Sequence, residues 1–87
     1  MLEKIKMSLR IAGDDFDDEI QELIDAGITD LEDAGIEFNK ENMKHQLAVS
    51  LFVKENFGIN NQNHYNRYAK AYKNIKVNLA IVSEKEN

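Results

Sequence analysis

Residues 15–34 read DFDDEIQELIDAGITDLEDA, and the spacing of the apolar residues in this stretch decides the fold class. They recur at helical steps, with one adjacent pair, at Phe16, Ile20, Leu23, Ile24, Ile28 and Leu31. This spacing predicts a helix from about Asp15 to Ala34 with one buried face. We expect Asp14 and Asp15 to cap its N-terminus and Gly35 to end it. Gly27 lies inside the pattern and predicts a close helix crossing or a slight kink.

A shorter helix is predicted before this one, from about Leu2 to Ile11. Leu2, Ile5 and Leu9 follow a helical pattern of three and four residues. Gly13 follows the pattern at the place where a glycine commonly ends a helix. We therefore expect a short N-terminal helix that ends before Gly13.

A third helix is predicted from about Lys40 to Asn56, with Asn39 as its N-cap and Gly58 closing it. Its stripe consists of Met43, Leu47, Ala48, Leu51 and Phe52, and Val49 and Val53 widen it. A helix that is apolar over so much of its circumference is usually central in a bundle. We expect this helix to pack against the others.

A fourth helix is predicted from about Asn63 to Ile81, after a polar loop at residues 59–63. Its buried stripe comprises Tyr65, Tyr68, Ala69, Tyr72, Ile75 and Leu79. Residues 82–87 are predicted to form a flexible tail. The sequence therefore predicts an all-α fold, a small bundle of one short and three longer helices, in a single domain over residues 1–81.

Composition excludes several classes of protein. The chain has 87 residues, 43% of them hydrophobic and 31% charged, which is typical of a globular domain. There is no Cys, so disulfides and thiolate metal sites are excluded. The longest mainly apolar run, residues 47–53, is far shorter than the ~20 residues that span a bilayer. The N-terminus lacks an apolar signal-peptide core. We expect a soluble protein that is made in the cytoplasm.

Charge is distributed unevenly along the chain. Residues 11–39 contain eleven acidic residues and no basic one. Residues 60–80 contain four basic residues and no acidic one, and these are spaced by three along the fourth helix. One interpretation is two solvated helix faces. The other is an acidic face that meets the basic face of the next subunit, an arrangement that favours ring-like contact over isologous pairing. The candidate interface residues are Asp14, Asp15, Asp17, Asp18, Glu22, Arg67, Lys70, Lys73 and Lys76.

The sequence offers no constellation that carries catalysis or holds a metal or cofactor. The acidic run at residues 14–19 lacks the alternating ligands, the glycine and the final glutamate of a calcium loop. His45 and His64 lie on different segments with no converging ligands, which indicates surface or boundary histidines. The serines lack a nucleophile-elbow context, and no glycine-rich phosphate loop is present. We therefore predict a protein that is not an enzyme.

The fourth helix allows an alternative function. Tyr65, Tyr68 and Tyr72 alternate with Arg67 and Lys70, as aromatic and basic residues do in some nucleic-acid binders. The tyrosine spacing is that of a core stripe, and the net charge of −5 disfavours a phosphate-backbone partner. A monomeric binding module or small regulator that contacts nucleic acid through this basic face is the alternative hypothesis.

Several segments together resemble the tailed-phage head–tail connector family, also called head-completion or DNA-packaging connector proteins. Residues 44–58, KHQLAVSLFVKENFG, resemble the central helix of that family. A polar loop at residues 60–63, a tyrosine-bearing helix and the stretch NIKVNL at residues 74–79 follow in the family's order. Residues 9–20, LRIAGDDFDDEI, and residues 23–26, LIDA, resemble its N-terminal part, although Gly27 replaces the more usual alanine. The resemblance covers roughly residues 2–83.

The resemblance implies a structural role in a phage or prophage. It implies a homo-oligomeric ring under the portal vertex that links the DNA-filled head to the tail. The implied partners are further copies of the chain, the portal protein and the next tail-side connector or stopper protein. DNA would pass through the ring without being specifically bound, and no membrane would be involved. The implied location is the virion head–tail junction, with assembly in the bacterial cytoplasm.

Overall fold

Four α-helices form the protein, in the order α1 (Leu2–Leu9), α2 (Asp17–Asp33), α3 (Met43–Asn56) and α4 (Gln62–Glu86). The computed structural model describes the backbone of residues 1–57 and 62–86, and the side chains of residues 1–57 and 67–83. Over these ranges there is no strand. The predicted all-α bundle, with one short and three longer helices, is confirmed.

α3 is the central helix, as its wide apolar surface predicted. It packs against α1, α2 and α4. α2 and α3 are antiparallel, because Phe16 before α2 contacts Phe57 after α3 with their ring centroids 5.6 Å apart. α3 and α4 are also antiparallel, since Lys54 near the end of α3 lies over the ring of Tyr68 in the first half of α4. α2 and α4 therefore run parallel to each other.

The C-terminal ends of α1 and α2 share one hydrogen-bond pattern. At α2, the N–H of Gly35 donates to the carbonyl of Glu32, and the N–H of Ile36 donates to the carbonyl of Leu31. Gly35 has φ +86°, so the predicted glycine stop is confirmed. At α1 the equivalent left-handed residue is Arg10, with φ 61°. The prediction that α1 continues to Ile11 and stops at Gly13 is therefore wrong, because Arg10 already turns the chain.

The N-terminus of α2 differs from the prediction. The helix begins at Asp17, and its N-cap is Phe16, with no side-chain cap hydrogen bond. Asp14 and Asp15 were predicted as caps, and this is wrong. Instead, the carbonyl of Asp14 accepts from the N–H of Asp17 at 3.2 Å and forms a turn. The edge-on contact of Phe16 with Phe57 fixes where the chain enters the helix, and sequence spacing carries no sign of that contact.

α3 begins three residues later than predicted. Its N-cap is Asn42, whose Oδ1 accepts from the N–H groups of Lys44 and His45 at 2.9 and 3.3 Å. Asn39, the predicted cap, instead accepts from the N–H of Glu41 at 2.9 Å and forms a separate turn. Both asparagines can bind free backbone donors, so the sequence did not separate the cap from the turn.

α4 is longer than predicted. It runs to Glu86, five residues beyond the expected end at Ile81. The hydroxyl of Ser83 donates to the carbonyl of Gly35 at 3.0 Å, which ties the end of α4 to the end of α2. Residues 82–86 are thus helical, and their flexibility stays a prediction. Two other predictions, Gly58 as the stop of α3 and most of the loop at 59–63, fall outside the described residues.

The apolar core combines all four helices and the segment after α2. Its buried members are Ile5, Ile20, Ile24, Leu31, Ile36, Ala48, Val49, Val53, Tyr72 and Leu79. The predicted stripe of α2 is confirmed for Ile20, Ile24 and Leu31, and Leu23 and Ile28 are partly buried against the core. Its first member, Phe16, was predicted wrongly, because it precedes the helix and is 48% exposed. The predicted stripe of α3 is partly wrong, because Met43 and Leu47 are 79% and 51% exposed. The side chain of Tyr65 lies outside the described residues, and the rest of the α4 stripe is buried or half-buried.

Candidate interaction surfaces

The predicted acidic residues form one exposed surface at the start of α2. We call Asp14, Asp15, Asp18, Glu19 and Glu22 the acidic surface, and all five are exposed. Their proximity to the N-terminus of α2 is favourable, because the helix dipole stabilises negative charge there. None of the five forms an ion pair within the described part of the chain. Their charge is therefore available to a partner.

Asp17 differs from its acidic neighbours, because its charge is used inside the protein. Its Oδ1 lies 2.7 Å from Nζ of Lys6, which is buried in α1. The Lys6 ammonium donates a hydrogen bond to Asp17, which raises the pKa of Lys6, and the nearby acidic charges of Asp17, Glu3 and Asp14 add to this. Asp17, a candidate interface residue in the sequence, therefore holds α1 against α2.

The predicted basic residues form a second exposed surface on α4. We call Arg67, Lys70 and Lys73 the basic ridge, and all three are exposed. None of them forms an ion pair with a side chain that the structure describes. Lys76, the fourth residue of the predicted set, is different. Its Nζ lies 3.1 Å from Oδ2 of Asp30 and 5.2 Å from the ring centroid of Tyr72.

A polar cluster of Asp30, Glu55, Tyr72 and Lys76 joins α2, α3 and α4, and we call it the Asp30 cluster. The hydroxyl of Tyr72 donates to Oδ2 of Asp30 at 2.5 Å. This bond, helped by Lys76, lowers the pKa of the Asp30 carboxyl although partial burial opposes the shift. Burial and the bond to Asp30 raise the pKa of the Tyr72 phenol. Burial, and then the charge of Asp30, raises the pKa of Glu55. The pKa values of the Asp30 and Glu55 carboxyl groups are thus shifted in opposite directions.

The Asp30 cluster acts as a link between helices. Tyr72 is only 5% exposed, and its hydroxyl is occupied by Asp30. Lys76 reaches the same carboxylate oxygen from one turn further along α4. Both bonds run between α4 and α2, so the cluster fixes how α4 lies along α2. Lys76 therefore has an internal role that sequence spacing did not reveal.

The acidic surface and the basic ridge lie toward the same end of the bundle. Asp30 on α2 is level with Tyr72 and Lys76 on α4, because it bonds to both. From that level, at ~1.5 Å per residue, Glu22, Glu19 and Asp18 lie about 12–18 Å toward the helix N-termini, whereas Lys73, Lys70 and Arg67 lie only about 2–10 Å in that direction. Parallel α2 and α4 thus carry opposite charge, with the acidic surface further toward the N-terminal end, and the described ion pairs do not join the two surfaces.

A large apolar groove opens beside the segment that joins α2 to α3. Segment 35–42, α3 from Met43 to Leu51 and α4 from Ala71 to Ser83 enclose about 1500 Å³. We call this the linker groove. Its apolar lining includes Met43, Leu47, Leu51, Ile75, Leu79 and Val82. Glu37, Lys40 and Lys44 also line it, and all three are exposed.

The linker groove was not predicted from the sequence, because the apolar spacing of α3 placed Met43 and Leu47 in the core. One signal could have revealed it. Residues 43–53 contain more apolar side chains than one face of a single helix can bury. Ala48, Val49 and Val53 fill the core, so Met43 and Leu47 remain on the open side of the helix. The surplus of apolar residues in α3 thus marks a second surface.

His45 is a structural residue of the bundle. It is 9% exposed, and its Nδ1 accepts the N–H of Asn39 at 2.9 Å. Its ring lies 5.9 Å from the ring of Phe38. The prediction that His45 is a surface or boundary residue is therefore wrong, because its ring is buried and holds the segment before α3. The side chain of His64 falls outside the described residues.

The described part of the chain contains neither a metal-binding cluster nor a membrane-spanning helix. No group of three or more His, Asp or Glu side chains there could hold a metal ion. None of its helices is both long enough and apolar enough to cross a bilayer.

Comparison with known proteins gave one match. A family model described as phage connector protein matches residues 1–86, which is nearly the whole chain. No curated protein matches the chain, and no solved structure matches it. The match covers all four helices, the acidic surface, the basic ridge and the linker groove.

Proposed function

We propose, from the premise that this chain belongs to the phage connector protein family, that copies of it form a ring on the portal vertex and link the DNA-filled head to the tail. Family membership gives the protein a structural connector role as a virion component that interacts with other head or tail proteins. The ring and its position on the portal are the proposed part. The family's role is structural rather than enzymatic.

The observation that carries the proposal is the presence of two uncompensated surfaces of opposite charge, one at the start of α2 and one on α4. A closed ring joins each copy to the next through two different surfaces, so it requires a complementary pair of this kind. Opposite charge on the two surfaces favours head-to-tail contact over contact between like surfaces. Asp17 and Lys76 support the two surfaces from inside the protein.

The proposed ring has further partners along its axis. The portal protein would contact one side, and the next tail-side connector or stopper protein would contact the other. DNA would pass through the channel without specific binding. Acidic residues that remain outside the contact would suit a lumen or rim that repels phosphate. Assembly would take place in the host cytoplasm.

The proposal is tested by measuring molar mass with light scattering, over a range of concentration and salt, alone and with the portal protein. We expect a discrete, salt-sensitive oligomer in at least one of the two conditions. The double variant Lys70→Glu/Lys73→Glu should lose it and remain at the monomer mass of 10.0 kDa. Adding Asp18→Lys and Glu22→Lys to that variant should restore assembly, because the opposite charges again face each other.

The matched control is Lys40→Glu/Lys44→Glu, which makes the same charge change at the linker groove. In the absence of the portal protein, this control should assemble as the unmodified chain does. If Lys70→Glu/Lys73→Glu assembles equally well, the basic ridge is not the contact. If neither the free chain nor the mixture with the portal protein forms an oligomer, the ring proposal is wrong.

A second candidate function is nucleic-acid binding through the basic ridge. The observation in its favour is the exposure of Arg67, Lys70 and Lys73 along one helix without described ion-pair partners. Three phosphate contacts predict a slope of about −2.7 for log affinity against log salt. Fluorescence anisotropy with labelled duplex DNA measures this slope. A measurable, salt-dependent affinity that Lys70→Glu/Lys73→Glu removes would favour this function over the ring.

A further inference from the structure

The linker groove is larger than a site for a small molecule. Its volume of about 1500 Å³ exceeds the roughly 300–1000 Å³ of typical small-molecule pockets. It follows α4 from Ala71 to Ser83, a length of about 18 Å at ~1.5 Å per residue. That length matches about three turns of an α-helix. Its shape and size therefore suit a segment of polypeptide.

The groove also leaves apolar surface uncovered. Met43 is 79% exposed and Leu47 is 51% exposed, and Val82 lines the opposite wall at the end of α4. Exposed apolar side chains that are grouped in a groove with a polar rim are typical of a protein interaction site. An amphipathic helix binds such a groove with apolar side chains at i, i+3, i+4 and i+7.

The charge of the rim selects among possible helices. Among the lining residues that the structure describes, Lys40 and Lys44 stand against one acidic residue, Glu37. Neither lysine forms an ion pair with a described side chain. Acidic residues beside the apolar stripe of an incoming helix would therefore be favoured, and basic ones disfavoured.

No helix of this chain has the combination that the groove favours, as far as the described side chains extend. α2 is acidic, but its apolar stripe is buried in the core. α4 has half-exposed apolar residues, Val77 and Ile81, but it carries the basic ridge. Phe16 lies among acidic residues but offers one ring, which already packs against Phe57. A second copy of the chain therefore fits the groove poorly.

We propose that the linker groove binds an amphipathic helix of a different protein, with acidic residues flanking an apolar stripe of about three turns. This inference rests on the proposed connector function. In the assembled connector, the helix belongs to a neighbouring protein along the ring axis. The groove lies away from the acidic surface, and it begins on α4 at Ala71 and Asn74, beside the basic ridge, but no residue of either charged surface lines it. A side-to-side ring contact through those surfaces therefore uses none of the groove residues.

The test uses synthetic helical peptides with the full-length chain. One blocked peptide of about 12 residues carries leucines at i, i+3, i+4 and i+7 with glutamates beside them, and a second peptide carries lysines instead. NMR amide shifts measure the binding site, and fluorescence anisotropy measures affinity. We expect the glutamate peptide to shift residues of the groove and to bind at least about threefold more tightly than the lysine peptide.

Two methionines provide a matched pair of variants. Met43 in the groove and Met7 on α1 are 79% and 77% exposed, so both substitutions to glutamate should leave the fold intact. Circular dichroism checks this. Met43→Glu should weaken binding of the glutamate peptide by about tenfold, because it places a charge in the apolar groove. Met7→Glu should leave the affinity unchanged.

Three results would overturn the proposal. The first is no binding of either peptide, and the second is an equal loss of affinity with Met7→Glu. The third is a dimer of the free chain that Met43→Glu dissociates, since this would assign the groove to a second copy. The charge-reversal variants at Lys70 and Lys73 test the ring independently of the groove, because these two residues do not line it.

Discussion

α3 and α4 hold α2 in different ways. Toward α3 the contact is apolar and close, and an added Cβ at Gly27 would lie 3.1–3.3 Å from the side chain of Phe52. Toward α4 the contact is polar, and Asp30 binds both Tyr72 and Lys76. The apolar contact depends on shape and volume, whereas the polar contact depends on direction and charge. We therefore expect substitutions to damage the first more, and pH to affect mainly the second.

The largest effect is expected from Ile24→Ala on the apolar side of α2. Ile24 is buried in the core, so its truncation removes apolar contacts and leaves a cavity. The free energy of unfolding should fall by about 2–5 kcal/mol, measured by urea denaturation. Met7→Ala, on an exposed residue of α1, is the control and should change it by less than about 0.5 kcal/mol. Equal effects of the two substitutions would contradict the assignment of the core.

A smaller loss is expected when volume is added at the α2–α3 contact. Gly27→Val should lower the free energy of unfolding by about 1–3 kcal/mol, because the ring of Phe52 must move. Ala26→Val makes a similar change on the exposed side of α2 and should cost only about 0.5 kcal/mol through its effect on helix propensity. Thermal or urea unfolding of the pair measures the difference. A neutral Gly27→Val would show that the two helices separate easily.

The polar contact should be weaker and should depend on pH. Tyr72→Phe removes the hydrogen bond to Asp30 and should cost about 1 kcal/mol at pH 7. The folded-state pKa of Asp30 is lowered, so its stabilising effect is present above the unfolded pKa of about 3.9 and disappears as pH falls through the folded value. The cost of Tyr72→Phe should therefore shrink below about pH 4. Urea denaturation at pH 7 and pH 3 tests this, and a constant cost would contradict it.

The smallest effect is expected at Glu55, and with the opposite sign. Its folded-state pKa is raised, so the ionised form is disfavoured by folding once the pH exceeds the unfolded value. Glu55→Gln removes that penalty and should raise the free energy of unfolding by up to about 0.5 kcal/mol at pH 7. The gain should vanish below about pH 4, where the carboxyl is protonated in both states. A destabilising Glu55→Gln would mean that the charge serves a contact instead.

Spacing predicted the elements that depend on one helix alone. The stripe of α2 from Ile20 to Leu31 was predicted correctly because its apolar residues form a narrow face, and Gly35 was identified because glycine adopts a left-handed stop without strain. The order of the helices and the central position of α3 also followed from the sequence. These features need only local chemistry and the width of an apolar face.

Features that depend on two segments could not be predicted in the same way. The start of α2 is set by the contact between Phe16 and Phe57, and the role of Lys76 by Asp30. α3 is apolar over a wide arc, so spacing alone did not decide which residues face inward. Met43 and Leu47 were therefore placed in the core, and the linker groove was missed.

The central position of α3 has a consequence for synthesis of the chain. Ribosomes add roughly 5–20 residues per second, so α3 is completed about 1–5 s after α2. During that interval the apolar face of α2 has no α3 to cover it. The eleven acidic residues of segment 11–39 surround this face in the nascent chain and act as gatekeepers against aggregation. The charge that we assign to assembly of the finished protein would thus protect the unfinished one.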